Sequence, residues 1–216
     1  MLLNTYGEVP KEFCIFADQL SPTTWNNVTL PKSLTSGAYS QCSVDQQFAV
    51  KYAAGKANYL PFIPNNGTDL KFLSPYHLTA INSYKVEYNA ELVRMDKFPF
   101  FPSRLSAIYA FGDYATCEKV AIKYGWKLAE VKRFIVAKEN FFPRVIRVNM
   151  EIVSLMKYAN RISMIDLETN DYIWTKYWQG ESIPGMEALL SGGQRKVIPC
   201  EEIWEYLIEG KVALID

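Results

Sequence analysis

The sequence predicts an α+β fold, on three observations. Helix-like and strand-like segments are both present, but they do not alternate regularly enough for a doubly wound parallel sheet. The chain has 216 residues, of which 49% are hydrophobic and 21% are charged, and this is the composition of a globular domain with a sizeable core. It contains no internal repeat, low-complexity tract or long linker, so we expect residues 1–216 to form a single domain.

Turn-forming residues divide the chain into two parts. Serine, threonine, proline and glycine cluster within the first 70 residues, at positions 21–24, 31–37 and 61–67. We treat residues 1–70 as an N-terminal elaboration, with a short strand at 13–17 and a helix at 44–57. Residues 71–216 form the predicted core.

The elements of the predicted core follow from hydrophobic periodicity and from helix boundary signals. We predict helices at residues 89–96, 113–124, 149–160 and 167–178. We predict strands at residues 76–79, 105–111, 131–137, 205–208 and 212–215. The segment 105–137 therefore reads as a strand, a helix and a second strand, and Gly210 separates the two strands at the end of the chain.

The composition disfavours a membrane-spanning protein and a metal-binding protein. The longest apolar runs, such as residues 106–111 and 212–215, are far shorter than the roughly 20 residues that cross a bilayer. The N-terminal residues lack the pattern of a secretory signal, so we expect a cytoplasmic protein. The cysteines are scattered without paired spacing, and one histidine is present to join them, so we expect reduced thiols and no metal site.

Charge is distributed unevenly along the chain, although the formal net charge is zero. Residues 119–161 carry 10 basic and 3 acidic side chains, whereas residues 162–216 carry 4 basic and 10 acidic ones. A basic segment of this kind provides a surface for phosphates or nucleic acid. Alternatively, the basic and acidic segments face each other or water in the fold. Charge alone selects neither alternative.

Three stretches of the core, taken together, resemble the ADP-ribosyltransferase superfamily. They are YHLT at 76–79, PSRLSAIYAFGDYATCEKVA at 102–121 and EEIWEYLIEGKVALI at 201–215. The resemblance is to the branch of the family with a histidine, tyrosine and glutamate signature. It implies a split sheet with flanking helices over residues 71–216, and NAD as the substrate. Since the sequence has no G-x-G-x-x-G loop, NAD would bind without a Rossmann phosphate site.

The resemblance also implies a role for three residues. His77 would hydrogen-bond the adenosine ribose of NAD, Tyr109 would stack against the nicotinamide, and Glu205 would hydrogen-bond the 2′-hydroxyl of the nicotinamide ribose. Breaking the nicotinamide glycosidic bond builds positive charge on the ribose, so a nearby carboxylate stabilises the transition state more than the ground state. Glu205 is therefore the expected catalytic residue, and the reaction needs no metal.

Other residues leave alternatives open. Arg104 has two interpretations: it holds an NAD phosphate bidentately, or it is a surface arginine paired with a nearby acid. Ile203 stands where arginine-modifying members have a second glutamate or a glutamine, which disfavours arginine as the acceptor. A different alignment places the first strand of the family at residues 13–17, and in that case His77 lies outside the site.

Three functions are consistent with these residues. The leading one is an NAD-dependent mono-ADP-ribosyltransferase that modifies a macromolecular acceptor, either protein or nucleic acid. The second is an inactive binding protein with this fold, such as a phage or bacterial inhibitor whose partner is a toxin or a host factor. The third is an unrelated α+β interaction domain. One cavity that contains the signature residues favours the first, and a cavity filled by side chains favours the second.

Overall fold

The computed structural model describes residues 1–17, 33–35, 75–138, 142–162, 165–189 and 195–215. Within these residues the protein combines helices with antiparallel sheets, as the predicted α+β class requires. The helix predicted at 44–57 lies outside the described residues. In the described part of the chain, no helix is both long enough and apolar enough to cross a membrane.

The helices and strands follow one another in a mixed order. The helices are α1 (Pro75–Lys97), α2 (Tyr114–Tyr124), α3 (Met150–Ile162) and α4 (Leu167–Gln179). The strands are β1 (Phe13–Phe16), β2 (Ser33–Thr35), β3 (Ile108–Ala110), β4 (Val131–Val136), β5 (Arg144–Asn149), β6 (Gly185–Leu189), β7 (Arg195–Pro199), β8 (Trp204–Glu209) and β9 (Lys211–Leu214). A short 3-10 turn, Leu128–Glu130, connects α2 to β4.

A three-stranded sheet in the order β3-β8-β5 lies at the centre of the molecule. Tyr109 of β3 and Ile146 of β5 both pair with Leu207 of β8, so their side chains share one face of the sheet. Ile108 pairs with Ile208 one position further along, and these side chains point to the opposite face. Both faces of the sheet therefore carry apolar side chains.

A second sheet, in the order β1-β4-β9-β2, covers the face that carries Ile108. Phe13, Phe134 and Val212 of this sheet are buried in one apolar cluster with Ile108 and Ile208. The backbones of Cys14 and Phe111 exchange two hydrogen bonds of 2.8 Å, which connect β1 to the end of β3. Residues 1–70 thus contribute β1 and β2 to this sheet.

Helices α1, α3 and α4 cover the other face of the central sheet. Trp174, Tyr177 and Trp178 of α4 are fully buried there, and their rings contact one another edge to face. The indole nitrogen of Trp178 donates a hydrogen bond of 2.9 Å to the backbone oxygen of Ala90 in α1. Because each buried aromatic removes a large apolar area from water, this cluster is a main source of stability for the helical layer.

The strand predicted at residues 76–79 is wrong, because these residues lie in the first turn and a half of α1. Pro75 is the first helical residue, a position where proline is favoured since its missing N–H would have no partner inside the helix. Further along, Val86, Ala90 and Val93 are buried at intervals of four and three residues, which is the helical period. The helix predicted at 89–96 is confirmed as the later part of α1.

The other predicted helices and strands of the core are confirmed, with shifted boundaries. Capping residues explain why α2 and α4 were recognisable: Asp113 accepts a hydrogen bond from the Thr116 N–H, and Gly125 ends α2 in the left-handed region with φ of 70°. Strand β3 is shorter than predicted, at Ile108–Ala110. Strand β5 and the β6-β7 hairpin were not predicted from the sequence.

Candidate active site

A cavity of about 410 Å³ opens beside the central sheet, and its volume lies in the range of about 300–1,000 Å³ typical of small-molecule sites. Two groups of side chains line it. The charged wall consists of Glu87, Arg104, Tyr109, Lys157 and Glu205. The aromatic wall consists of Phe16, Phe111, Tyr124, Trp126 and Met150.

Three of the predicted site residues, Arg104, Tyr109 and Glu205, line this one cavity. The pairing of β3 with β8 brings two of them together. Tyr109 lies opposite Leu207, and Glu205 is two residues from Leu207 along β8, so both side chains project from the same face. The sheet register therefore brings together residues that are 96 positions apart in the sequence.

The structure gives His77 a different backbone setting from the one predicted. It lies in α1 and not in a strand beside the site. The structure describes the backbone of His77 but not its side chain. The segment named in the alternative alignment, residues 13–17, does form a strand, β1, and Phe16 of that strand lines the cavity. The role of His77 in NAD binding stays a prediction.

Arg104 is the centre of a buried network of charges. Its Nε donates to Glu87 Oε2 at 2.7 Å, and its Nη2 donates to Glu87 Oε1 at 3.2 Å. Its Nη1 donates to Glu205 Oε1 at 3.0 Å and also hydrogen-bonds the hydroxyl of Tyr177. The guanidinium lies 5.0 Å from the ring centre of Tyr109, which adds a cation–π contact.

The structure decides part of the question left open for Arg104. The residue is paired with acids, as one interpretation expected, but it is only 6% exposed and is not a surface arginine. Its guanidinium donors contact carboxylates and a phenol, so Arg104 is placed to hold Glu205 in position. Binding of an NAD phosphate by Arg104 stays a prediction.

Arg104 contacts two carboxylates, and their pKa values are shifted in opposite directions. Burial raises the pKa of Glu205 above its usual range, and the single contact with Arg104 offsets this only in part. Burial also acts to raise the pKa of Glu87, but the bidentate contact with Arg104 and the nearby Lys157 outweigh it, so this pKa is lowered. Glu87 therefore makes the bidentate contact with Arg104, and Glu205 makes the single one.

The aromatic wall is built from edge-to-face contacts. The ring of Phe16 lies 5.1 Å from that of Trp126 at an angle of 77°, and 5.9 Å from that of Phe111 at an angle of 89°. Tyr124 lies 5.8 Å from Trp126 in a tilted arrangement. Phe16 and Phe111 are buried, whereas Tyr124 and Trp126 are half-buried and keep part of their surface accessible.

A polar network attaches the end of α2 to α3 beside the aromatic wall. The Tyr124 hydroxyl donates to Glu151 at 2.6 Å and lies 2.8 Å from the Ser154 hydroxyl. Burial, together with the hydrogen bond to Glu151, raises the pKa of Tyr124 to about 12, so the phenol stays protonated. Lys123 contacts Glu151 at 2.7 Å and Glu201 at 2.9 Å. These contacts hold Tyr124 and its neighbours in a fixed position.

Glu87 and Lys157 were not predicted from the sequence, although a signal exists for Lys157. Glu87 follows the buried Val86 and lines the cavity. It lies between the elements predicted at 76–79 and 89–96, where no element was predicted. Lys157 continues the row Met150, Val153 and Ser154, all of which line the cavity at intervals of three and four residues. A charged residue in a helical row that also carries apolar residues indicates a partner or a cavity, and this signal could have found Lys157.

Comparison with known protein families gave no matching family model, and no curated protein matched the sequence. The functional interpretation therefore depends on two observations. One is the resemblance of the sequence motifs, and the other is the geometry of the cavity they line.

Proposed function

We propose that this protein is an NAD-dependent mono-ADP-ribosyltransferase that modifies a macromolecular acceptor in the cytoplasm. One observation carries the proposal: Tyr109 and Glu205, which come from two separate family-like motifs, line the same open cavity. The proposed fold is the split sheet of that family. It is supported by a three-stranded and a four-stranded antiparallel sheet that share an apolar cluster.

The proposed reaction exchanges one bond at the anomeric carbon of the nicotinamide ribose. The bond to the nicotinamide nitrogen breaks, its electron pair leaves with neutral nicotinamide, and the ribose becomes cationic. A nucleophilic atom of the acceptor then bonds to the same carbon and loses its proton. The carboxylate of Glu205 faces the developing cation in a largely buried site, where its charge acts more strongly than in water.

The contacts of Glu205 suit this role. Among the described residues, Arg104 and Tyr177 both contact the same carboxylate oxygen, Oε1, at 3.0 and 3.5 Å. The other oxygen, Oε2, is left to accept a hydrogen bond from the ribose 2′-hydroxyl. Arg104 and Glu87 act as positioning residues, since they fix the orientation of Glu205 without contacting the reacting atoms.

NAD affinity is expected to depend on the ring of Tyr109 more than on its hydroxyl. Tyr109→Ala removes the stacking surface and should weaken NAD binding by about 2- to 13-fold, since aromatic stacking contributes about 0.5–1.5 kcal/mol. Tyr109→Phe keeps the ring and removes only the hydrogen bond of 2.5 Å to the Arg104 backbone oxygen, so a smaller effect is expected. Isothermal titration calorimetry with NAD measures both. If Tyr109→Ala and Tyr109→Phe lose the same NAD affinity, stacking of NAD on the ring of Tyr109 is contradicted.

The pH dependence of transfer is expected to respond to Glu87. Glu205 must be ionised to act, so kcat/KM should fall as the pH falls through its raised pKa. The negative charge of Glu87 contributes to that raised pKa. Glu87→Gln should therefore move the acid limb of the pH–rate profile to lower pH. An acid limb that stays in place or moves to higher pH would contradict this coupling.

One observation favours a second function, that of an inactive binding protein. The ion pair between Arg104 and Glu205 neutralises the proposed catalytic charge. In that case a toxin or a host factor is the partner, and the cavity need not bind NAD. Calorimetry separates the two functions, because only the transferase requires NAD to bind with an affinity that Tyr109→Ala weakens.

A further inference from the structure

The proposed chemistry uses the charged wall of the cavity and leaves the aromatic wall without a role. Its two accessible rings, Tyr124 and Trp126, lie in the sequence between Lys123 and Lys127. We propose that the aromatic wall and the lysines beside it bind single-stranded nucleic acid, which supplies the acceptor base. The binding site stands on its own observations, and only its role as acceptor site rests on the proposed function.

The aromatic wall has the properties of a stacking platform. The buried ring of Phe16 contacts Trp126 edge to face and is itself held by an edge-to-face contact with the buried ring of Phe111, while the indole of Trp126 keeps accessible surface. The phenol of Tyr124 is fixed by Glu151, so neither ring loses much freedom when a flat group binds. A nucleobase stacks on such rings whatever its identity, because every base has a π face.

The segment that carries these rings is strongly basic on its surface. Residues 119–138 contain six basic side chains and one acidic side chain, and all six basic side chains are exposed. They are Lys119, Lys123, Lys127, Lys132, Arg133 and Lys138. The charge of Lys123 is neutralised by Glu151 and Glu201, and Arg133 pairs with Glu12. Within the described part of the chain, Lys119 and Lys127 form no ion pair and remain available to phosphates.

The fold itself does not require these lysines. Helix α2 is held to the core by Cys117 and Val120, which are fully buried on the opposite side from Lys119. A run of like charges on the surface costs self-repulsion unless a partner of opposite charge binds. Basic residues interleaved with aromatic ones match a chain that alternates phosphates and bases. An acidic protein surface would pair with the lysines but would offer no flat group to the aromatic wall.

The position of the aromatic wall agrees with a role in presenting an acceptor. Helix α3 carries Met150 in the aromatic wall and Lys157 in the charged wall, with Val153 and Ser154 between them. A base that stacks on Trp126 therefore occupies the same cavity as Glu205. The proposal therefore places the acceptor base and the anomeric carbon in one cavity.

Fluorescence anisotropy tests the site in the absence of NAD. The ligand is a labelled single-stranded oligonucleotide of about 20 nucleotides. Wild-type protein should bind, with an affinity that falls steeply as salt rises. Trp126→Ala should raise the Kd about tenfold or more, and Trp126→Phe should restore most of the affinity. The matched control is Tyr172→Ala, which removes an exposed aromatic that does not line the cavity.

The contribution of charge is tested in the same assay. The double variant Lys119→Gln/Lys127→Gln should reduce the slope of log Kd against log salt by about 1.4, or about 0.7 for each lost phosphate contact with a single strand. Lys196→Gln, at an exposed lysine of β7 away from the cavity, should leave the slope unchanged. Circular dichroism and thermal unfolding verify that each variant is folded.

Three results would overturn the proposal: no binding at low salt, binding that does not depend on salt, or binding that folded Trp126→Ala retains in full. Tighter binding of a duplex than of the single strand would also overturn it, since paired bases cannot stack in the cavity. The outcome is independent of the enzyme activity. NAD cleavage without oligonucleotide binding leaves the transferase with a protein acceptor, and oligonucleotide binding without NAD cleavage removes the transferase and keeps the site.

Discussion

Glu205→Gln is expected to lower the rate of NAD-dependent transfer about 10²- to 10³-fold, which is the usual cost of losing one preorganised electrostatic group. The amide keeps the size of the side chain and can still accept the hydrogen bond from Arg104, so the cavity should keep its shape. What it loses is the negative charge beside the developing ribose cation. NAD affinity should change much less than the rate, because the charge acts in the transition state. Nicotinamide release and NAD titration measure the two quantities separately.

Two neighbouring glutamates provide matched controls for this variant. Glu201 and Glu202 precede β8 and are exposed, so Glu201→Gln and Glu202→Gln should keep nearly full activity. Glu201 does contact Lys123, but this ion pair is largely exposed and contributes little. If activity survives in Glu205→Gln and disappears in Glu202→Gln, the enzyme class stands but the catalytic residue has been assigned to the wrong position.

Arg104→Met is expected to lower the free energy of unfolding by about 3–5 kcal/mol, which is the typical cost of removing one partner from a buried ion pair. Methionine fills much of the same space but leaves Glu87 and Glu205 buried without their cation. This difference in the free energy of unfolding between wild type and variant should become smaller as the pH falls. Protonation of Glu87 and Glu205 then removes their unpaired charges from the folded variant. Urea unfolding of wild type and variant across a pH series measures both effects.

The matched control for this prediction is an exposed arginine in an ion pair. Arg133 contacts Glu12 at 3.3 Å, with 59% and 52% of the two side chains exposed. Arg133→Met should therefore cost only about 0–1 kcal/mol. Equal losses in the two variants would mean that the network around Arg104 is not the buried, tightly coupled site described above.

Much of the fold could be predicted because its signals are local. Helices α2 and α4 begin at Asp113 and Asp166, which accept hydrogen bonds from the third residue of each helix, and they end at Gly125 and Gly180. Both glycines have a φ near 70°, a conformation that glycine adopts without strain. Residues of this kind mark element boundaries in the sequence itself.

The elements that were missed or misassigned depend on distant partners. The segment Arg144–Asn149 forms strand β5 because it pairs along its whole length with β8, which follows some 60 residues later. The short segment 76–79 resembles a strand motif, but it is the start of the long helix α1. A pattern of four residues cannot outweigh the packing of a helix of 23 residues.

The residues of the site also fall into two groups, those that local patterns predict and those that depend on distant partners. Tyr109 and Glu205 could be proposed from motifs, because each lies in a strand with a recognisable apolar pattern. Glu87 and Lys157 reach the cavity from helices whose packing angles are set by the whole helical layer. The sequence contains the residues of the charged wall, but their meeting depends on tertiary packing that no local pattern encodes.

The most direct test of the proposed function is the release of nicotinamide from labelled NAD in the presence of a cell lysate. Wild-type protein is expected to release nicotinamide and to transfer the label to a macromolecule, and nuclease digestion should remove that label if the acceptor is nucleic acid. Glu205→Gln should do neither. If folded wild-type protein releases no nicotinamide with any lysate fraction, the transferase proposal is contradicted and the binding-protein function takes its place.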